Sequence, residues 1–193
     1  MQNAIQLRNF LEIPYDKLEE LNLRAAEKSG NNPEALEKEC REYLKKEKGV
    51  KAIKVCFSDI EGRFHMLDYD KNYVLKAAQN LTFDGSSIRG FTAQHESDLR
   101  LQLDWSSIRW LPSDIFGPGK IIVFAYVLNR DLSPHPSDFR GRLNQYCGEL
   151  KKKQGIIANA SAEIEGFLLN GVNAEENFSE ETGFDFISSG GYY

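Results

Sequence analysis

Cysteine, clustered basic charge and long apolar runs are all scarce in this chain. Three cysteines in 193 residues, Cys40, Cys56 and Cys147, are odd in number and contain no CxxC pair. That excludes a disulfide framework or a zinc site of ordinary spacing, and a reducing, cytoplasmic setting is expected. Lys and Arg number 24 against 29 Asp and Glu, for a net charge of -5. The bases are scattered among acids, so no field gathers phosphates and nucleic acid is not an expected partner. The longest apolar run, IIVFAYVL at 121–128, is far too short to span a bilayer. The N-terminus MQNAIQLRNF lacks the basic-then-apolar order of a signal peptide, and no membrane is expected. GxxxxGK and GxGxxG loops are missing, since FGPGK at 116–120 precedes a strand pattern and not a helix. GxSxG is missing too, which argues against serine hydrolysis.

With 41% hydrophobic and 27% charged residues, what remains is the pattern of an ordinary globular chain. Residues 1–47 read as a helical pair. Leu18, Leu21 and Ala25 share one face of the first helix. In the second, Asn32 caps, Pro33 takes the first helical position, and Leu36, Cys40, Tyr43 and Leu44 form the apolar face. From Val50 the period changes to alternation: IKVCF, a DIEG turn and RFHMLDYD predict a hairpin, followed by a short helix over KNYVLKAAQN. DLRLQLDW alternates strictly and IIVFAYVL reads as a buried strand, so residues 48–138 form a small mixed sheet carrying one helix. Beyond the proline connector SPHPS, DFRGRLNQYCGELKKKQG predicts a helix and IIANASAEIEGFLLN a strand. One helix and one strand bury no core alone, so 139–193 reads as the beginning of a larger unit.

Two stretches could carry chemistry. Glu163 and Glu165 lie two apart, which on a strand puts both carboxylates on one face with backbones about 6.6 Å apart. Such a pair can hold a hard divalent cation, magnesium or manganese, and can equally be two solvated edge carboxylates. In FDGSSIRGFTAQHESD, Asp84 and Gly85 form a common turn pair and the serines favour loops. The functional alternative makes Asp84 a base or cation-binding carboxylate with Ser86 and Ser87 fixing its geometry. His65, His95 and His135 show no ligand spacing and are expected to be structural or solvated.

FDGSSIRGFTAQHESDLRL, AEIEGFLL about 65 residues on and GGY at the end occur in the order and spacing of the N-terminal part of glutamine synthetase, and the chain resembles that family over 48–193. DFRGRL resembles the family's Asp-Pro-Arg motif, with Phe139 in place of proline, and Gly166 stands where an aromatic residue usually follows ExE. The fold the resemblance implies is α+β: a β-grasp domain over 48–138, after a helical extension over 1–47 and before an incomplete catalytic domain over 139–193. The activity it implies is ATP-dependent ligation of glutamate and ammonium through a γ-glutamyl phosphate, in a ring-like homo-oligomer, a dodecamer at full length. The resemblance makes Asp84, with Ser87 beside it, the group that binds and deprotonates ammonium at a neighbouring subunit's site, and places Tyr192 at the ammonium pocket. Glu163 and Glu165 would each hold one of two Mg2+ or Mn2+ ions. The family's remaining ligands and phosphoryl-stabilising arginines lie further on, so the chain alone is expected to be inactive. The alternatives are a γ-glutamyl-amine ligase and a non-catalytic β-grasp module that binds synthetase subunits.

Overall fold

The alternation in IIVFAYVL becomes the central strand of a mixed sheet in the computed structural model, which describes residues 14–28, 32–117, 119–171 and 173–187. This strand, β6 (Ile121–Leu128), buries Ile121, Val123, Ala125 and Val127 completely and leaves its other face half-buried. It runs parallel to β1 (Ala52–Ser58), which pairs in turn with β2 (Phe64–Asp70) in the expected hairpin. On its other side β6 is antiparallel to β4 (Asp98–Leu103), and β4 to β3 (Leu81–Asp84), giving the order β2-β1-β6-β4-β3. The segment WSSIRWLPS contributes β5 (Arg109–Trp110), a two-residue strand beside the start of β6.

Three of the helices cover one face because their sequences leave one apolar stripe each. Helix α1 (Tyr15–Glu27) buries Leu18 and Ala25, and α2 (Pro33–Lys46) buries Leu36, Cys40 and Leu44. Asn32 caps α2 by accepting from the Glu34 amide at 3.0 Å, while Pro33 starts it without a missing donor. Together with Val74 of α3 (Lys71–Ala77), Ala25, Leu36, Cys40 and Leu44 join Val50, Ile53, Val55, Leu81, Leu101, Val123 and Val127 in one core. The helical pair is thus built into the sheet's core. Helix α4 (Ser113–Phe116) is a single turn, and α5 (Phe139–Gln154) is the long helix after the connector.

The strongest polar tie between α1 and the sheet is Asn22. Its side-chain amide donates to the Trp110 carbonyl at 3.1 Å and accepts from the Trp110 amide at 2.9 Å, taking the place of one more strand residue beside β5. The Trp110 indole meanwhile donates to the Tyr43 hydroxyl of α2 at 2.9 Å, with the two rings packed edge to face at 5.6 Å.

This first compact unit ends at Gly155, and a second runs from Ile156. Here the structure departs from expectation. The strand expected over 156–170 is absent: 156–168 have no regular secondary structure and are exposed throughout, with Ile164 98% exposed. A strand needs a neighbour to satisfy its backbone groups. For this stretch the one bridge among the described residues is Leu169 with Phe186, assisted by Phe167 packed on Phe186 at 5.6 Å. The alternation that placed Ile164 toward a core therefore has no core to meet.

Asn22→Ala leaves the half-buried Trp110 amide and carbonyl without these partners. The expected cost is about 1–3 kcal/mol, seen in urea unfolding as a lower midpoint with an unchanged slope.

Candidate functional site: the Asp84 loop

Strand β3 ends on Asp84, and the chain turns at once through a single 3₁₀ turn, Gly85–Ser87. The turn is tight because Gly85 lies against β4. A Cβ on it would sit 2.7 Å from Leu99 Cδ1, closer than packed carbon atoms come, so a larger residue requires the Leu99 side chain to shift. The Gly85 amide is pinned to the Ser97 carbonyl at 2.7 Å. What composition left open as a plain turn is a turn closed on its own carboxylate.

Both Asp84 oxygens are occupied by neighbours. Oδ1 accepts from the Ser86 amide at 2.9 Å and the Ser86 hydroxyl at 2.6 Å, while Oδ2 accepts from the Ser87 hydroxyl at 2.8 Å. The Ser86 hydroxyl, then that of Ser87, holds the carboxyl below its ordinary value, against a smaller opposing effect of desolvation. Each carboxylate oxygen still has capacity to accept, and the residue is exposed. The result is a fixed, ionised, accessible carboxylate. Directly opposite in the sheet register lies a second exposed acid, Asp98, so two like charges share this end of the β3–β4 pair.

The same Asp-x-Ser-Ser spacing recurs in Asp104-Trp105-Ser106-Ser107, with Asp104 accepting from the Ser106 amide and hydroxyl. Its surroundings differ. Asp104 is half-buried and ion-paired with Arg140 of α5, whose guanidinium stacks 4.5 Å from the Tyr126 ring centre. Burial pushes the Asp104 carboxyl up, but the Ser106 hydrogen bond and Arg140 outweigh it and the net shift is downward. These residues line a cleft of about 750 Å³ between α2 and α5. The repeated spacing was the signal in the sequence for this second turn; its pairing with Arg140 was not, being a contact across 36 residues.

The other candidates fall elsewhere. Glu163 and Glu165 lie on the exposed irregular stretch of the second unit, and Tyr192 lies outside the described residues. Two carboxylates offer oxygen donors of the right kind for magnesium or manganese, but such ions take about six oxygens. Among the described residues no group of three or more His, Cys, Asp or Glu comes together to hold a metal. The donors fit in chemistry and fall short in number. His65 bonds the buried Asp59 at 2.8 Å and His135 packs on Phe91, both structural as expected, while His95 is exposed. The three cysteines are free, and burial pushes the thiols of Cys40 and Cys56 up to about 11. No helix among the described residues is long and apolar enough to cross a membrane.

Sheet, helices and loop define a β-grasp domain that presents an ionised carboxylate turn at the end of an edge strand. Residues 49–130 match the family described as the glutamine synthetase β-grasp domain. The chain is 30% identical to the glutamine synthetase of Thermotoga maritima over 148 residues, 76% of this chain and 32% of that protein. It is 33% identical to that of Methanosarcina mazei over 149 residues, 77% of this chain and 32% of that protein. Among solved structures it resembles the Plasmodium falciparum glutamine synthetase, with a TM-score of 0.54 at 19% identity over 60% of this chain and 22% of the other. Over these residues the chain is similar to the β-grasp domain of glutamine synthetases. It spans about a third of the length of the curated relatives it matches.

The ionised state of Asp84 is favoured by bonds that exist only in the folded loop, so they stabilise the loop above the ordinary carboxyl value and are lost as pH falls through the depressed one. Carbon-detected NMR should place the Asp84 midpoint below 3.8, and Ser87→Ala should move it upward.

Proposed function

We propose that this chain supplies the ammonium-attracting loop of a glutamine synthetase, which joins ammonia to glutamate at the expense of ATP through a γ-glutamyl phosphate. Glutamate, ammonium and ATP are then the small-molecule partners, and neighbouring synthetase subunits in a ring-like homo-oligomer, a dodecamer at full length, are the protein partners. A cytoplasmic setting fits substrates of this kind. The observation that carries the proposal is the Asp84 carboxylate, exposed and held ionised by Ser86 and Ser87 at the end of β3.

The chemistry follows from charge. Ammonium has no lone pair and attacks nothing until it loses a proton. An accessible anion with free acceptor capacity draws the cation in and orients its N–H groups. A carboxylate held below its ordinary value binds a cation well and keeps a proton poorly, so Asp84 takes the departing proton only in passing. Ser87 fixes the oxygen that faces the cation, and Tyr192 would close the pocket. Glu163 and Glu165 would supply two oxygens to magnesium or manganese, with further ligands required from elsewhere. When bound, that ion neutralises phosphate oxygens.

A chimaera tests the role of the loop. Residues 49–130 of this chain replace the corresponding domain of the Thermotoga maritima enzyme, and ammonium-dependent glutamine formation is compared with and without Asp84→Ala. The substitution should lower kcat/KM for ammonium about 10²–10⁴-fold while assembly, followed by light scattering, is unchanged. Undiminished turnover would remove Asp84 from the mechanism, and equal or better use of methylamine would favour an amine ligase.

A further inference from the structure

Asp84 is fixed from behind by its serines, but the direction in which the loop leaves the sheet is set by residues distant in sequence. Gly90, with φ +88, is the point where the loop turns back, and a Cβ there would lie 2.2 Å from Ile60 Cδ1. Ile60 sits at the tip of the β1–β2 hairpin, in a turn that Asp59 makes rigid. The buried Asp59 carboxylate accepts from the Glu61 and Arg63 amides at 2.9 and 3.0 Å and is bonded by His65. An apolar side chain 37% exposed at a hairpin tip is thus seated on the bare Cα of Gly90. The Ser137 hydroxyl also donates to the Gly90 carbonyl at 2.6 Å. Ser137 is held by its own amide, which donates to His135 Nδ1 at 3.1 Å, and His135 packs on Phe91, the residue after Gly90. An ion pair between Arg89 and Glu61 at 2.9 Å adds little, since Arg89 is 82% exposed.

We infer that Ile60 and Ser137 are positioning residues for Asp84: the hairpin tip and the connector grip Gly90 between them and thereby set where the Asp84 loop points. The inference rests on the reading of Asp84 as the functional carboxylate. The two grips converge on one peptide unit, and that unit is six residues from Asp84 along a path already fixed at Gly85. Loosening Gly90 frees the Ile88 and Phe91 amides, which bond the Gly85 and Ile88 carbonyls, and lets Ser87 drift from Oδ2.

The test uses the 193-residue chain itself with Ile60→Ala, Ile60→Val and Ser137→Ala. Asp131 is an internal control, because Ser133 caps it with the same amide and hydroxyl pair at a site away from Ile60. In Ile60→Ala and Ser137→Ala, the Asp84 carboxyl midpoint should rise toward its ordinary value and the Ile88 and Phe91 amides should exchange about fivefold faster or more. The Asp131 midpoint should stay put, and Ile60→Val should retain the parent behaviour. Unchanged Asp84 titration and loop exchange in both variants overturns the inference, as does an equal movement of Asp84 and Asp131, which marks general loosening. Neither measurement involves ammonium or turnover, so their failure is distinct from failure of the chimaera to depend on Asp84.

Discussion

β6 gives hydrogen-bonding partners to three strands, parallel to β1 along its first half and antiparallel to β5 and β4 on its other side. A parallel pair cannot be joined by a tight turn, so the chain between β1 and β6 must make a long crossover. That crossover contains β2, α3, β3 and β4, and therefore the Asp84 loop. Everything that presents the carboxylate hangs from this requirement. β4 takes its place beside β6 through Leu101 and Leu103 opposite Val127 and Ala125, and β3 follows beside β4 in a register that puts Asp84 at the end of the sheet.

The helical pair then decides how firmly the sheet is held. With Leu36, Cys40 and Leu44 in the same core as Ile53, Val55 and Val123, α2 is as much part of that core as any strand. Asn22 extends the sheet by one residue's worth of hydrogen bonds without being a strand. On the opposite face, α5 is anchored by Asp138, buried, whose carboxylate accepts from the Val127 amide at 3.0 Å and caps the helix through Gly141. The same connector carries Ser137, so the segment that docks the helix also braces the loop. Leu143 and Tyr146 of α5 remain largely exposed.

Family and architecture were open to reading because each depends on local pattern. Alternation marked β1, β2, β4 and β6, caps and spacing marked α1, α2 and α5, and the Asp-Gly-Ser-Ser run marked the loop. The strand expected at Glu163 and Glu165 failed for the opposite reason. Alternation there was real, but a strand exists only where another backbone answers it, and a sequence pattern carries no information about whether that neighbour is present.

The sequence by itself determined which segments alternate, which cap as helices, and that Asp84 would be followed by two hydroxyls able to bond it, because those outcomes are decided within a few residues. Only the tertiary structure decided that Gly85 lies against the Leu99 side chain, that Ile60 and Ser137 close on Gly90, and that Asp104 meets Arg140. Those contacts join residues 14 to 47 positions apart, and short-range rules of spacing and propensity do not reach that far. Chain folding brings them together, and burial and hydrogen-bond geometry then select the residues that fit.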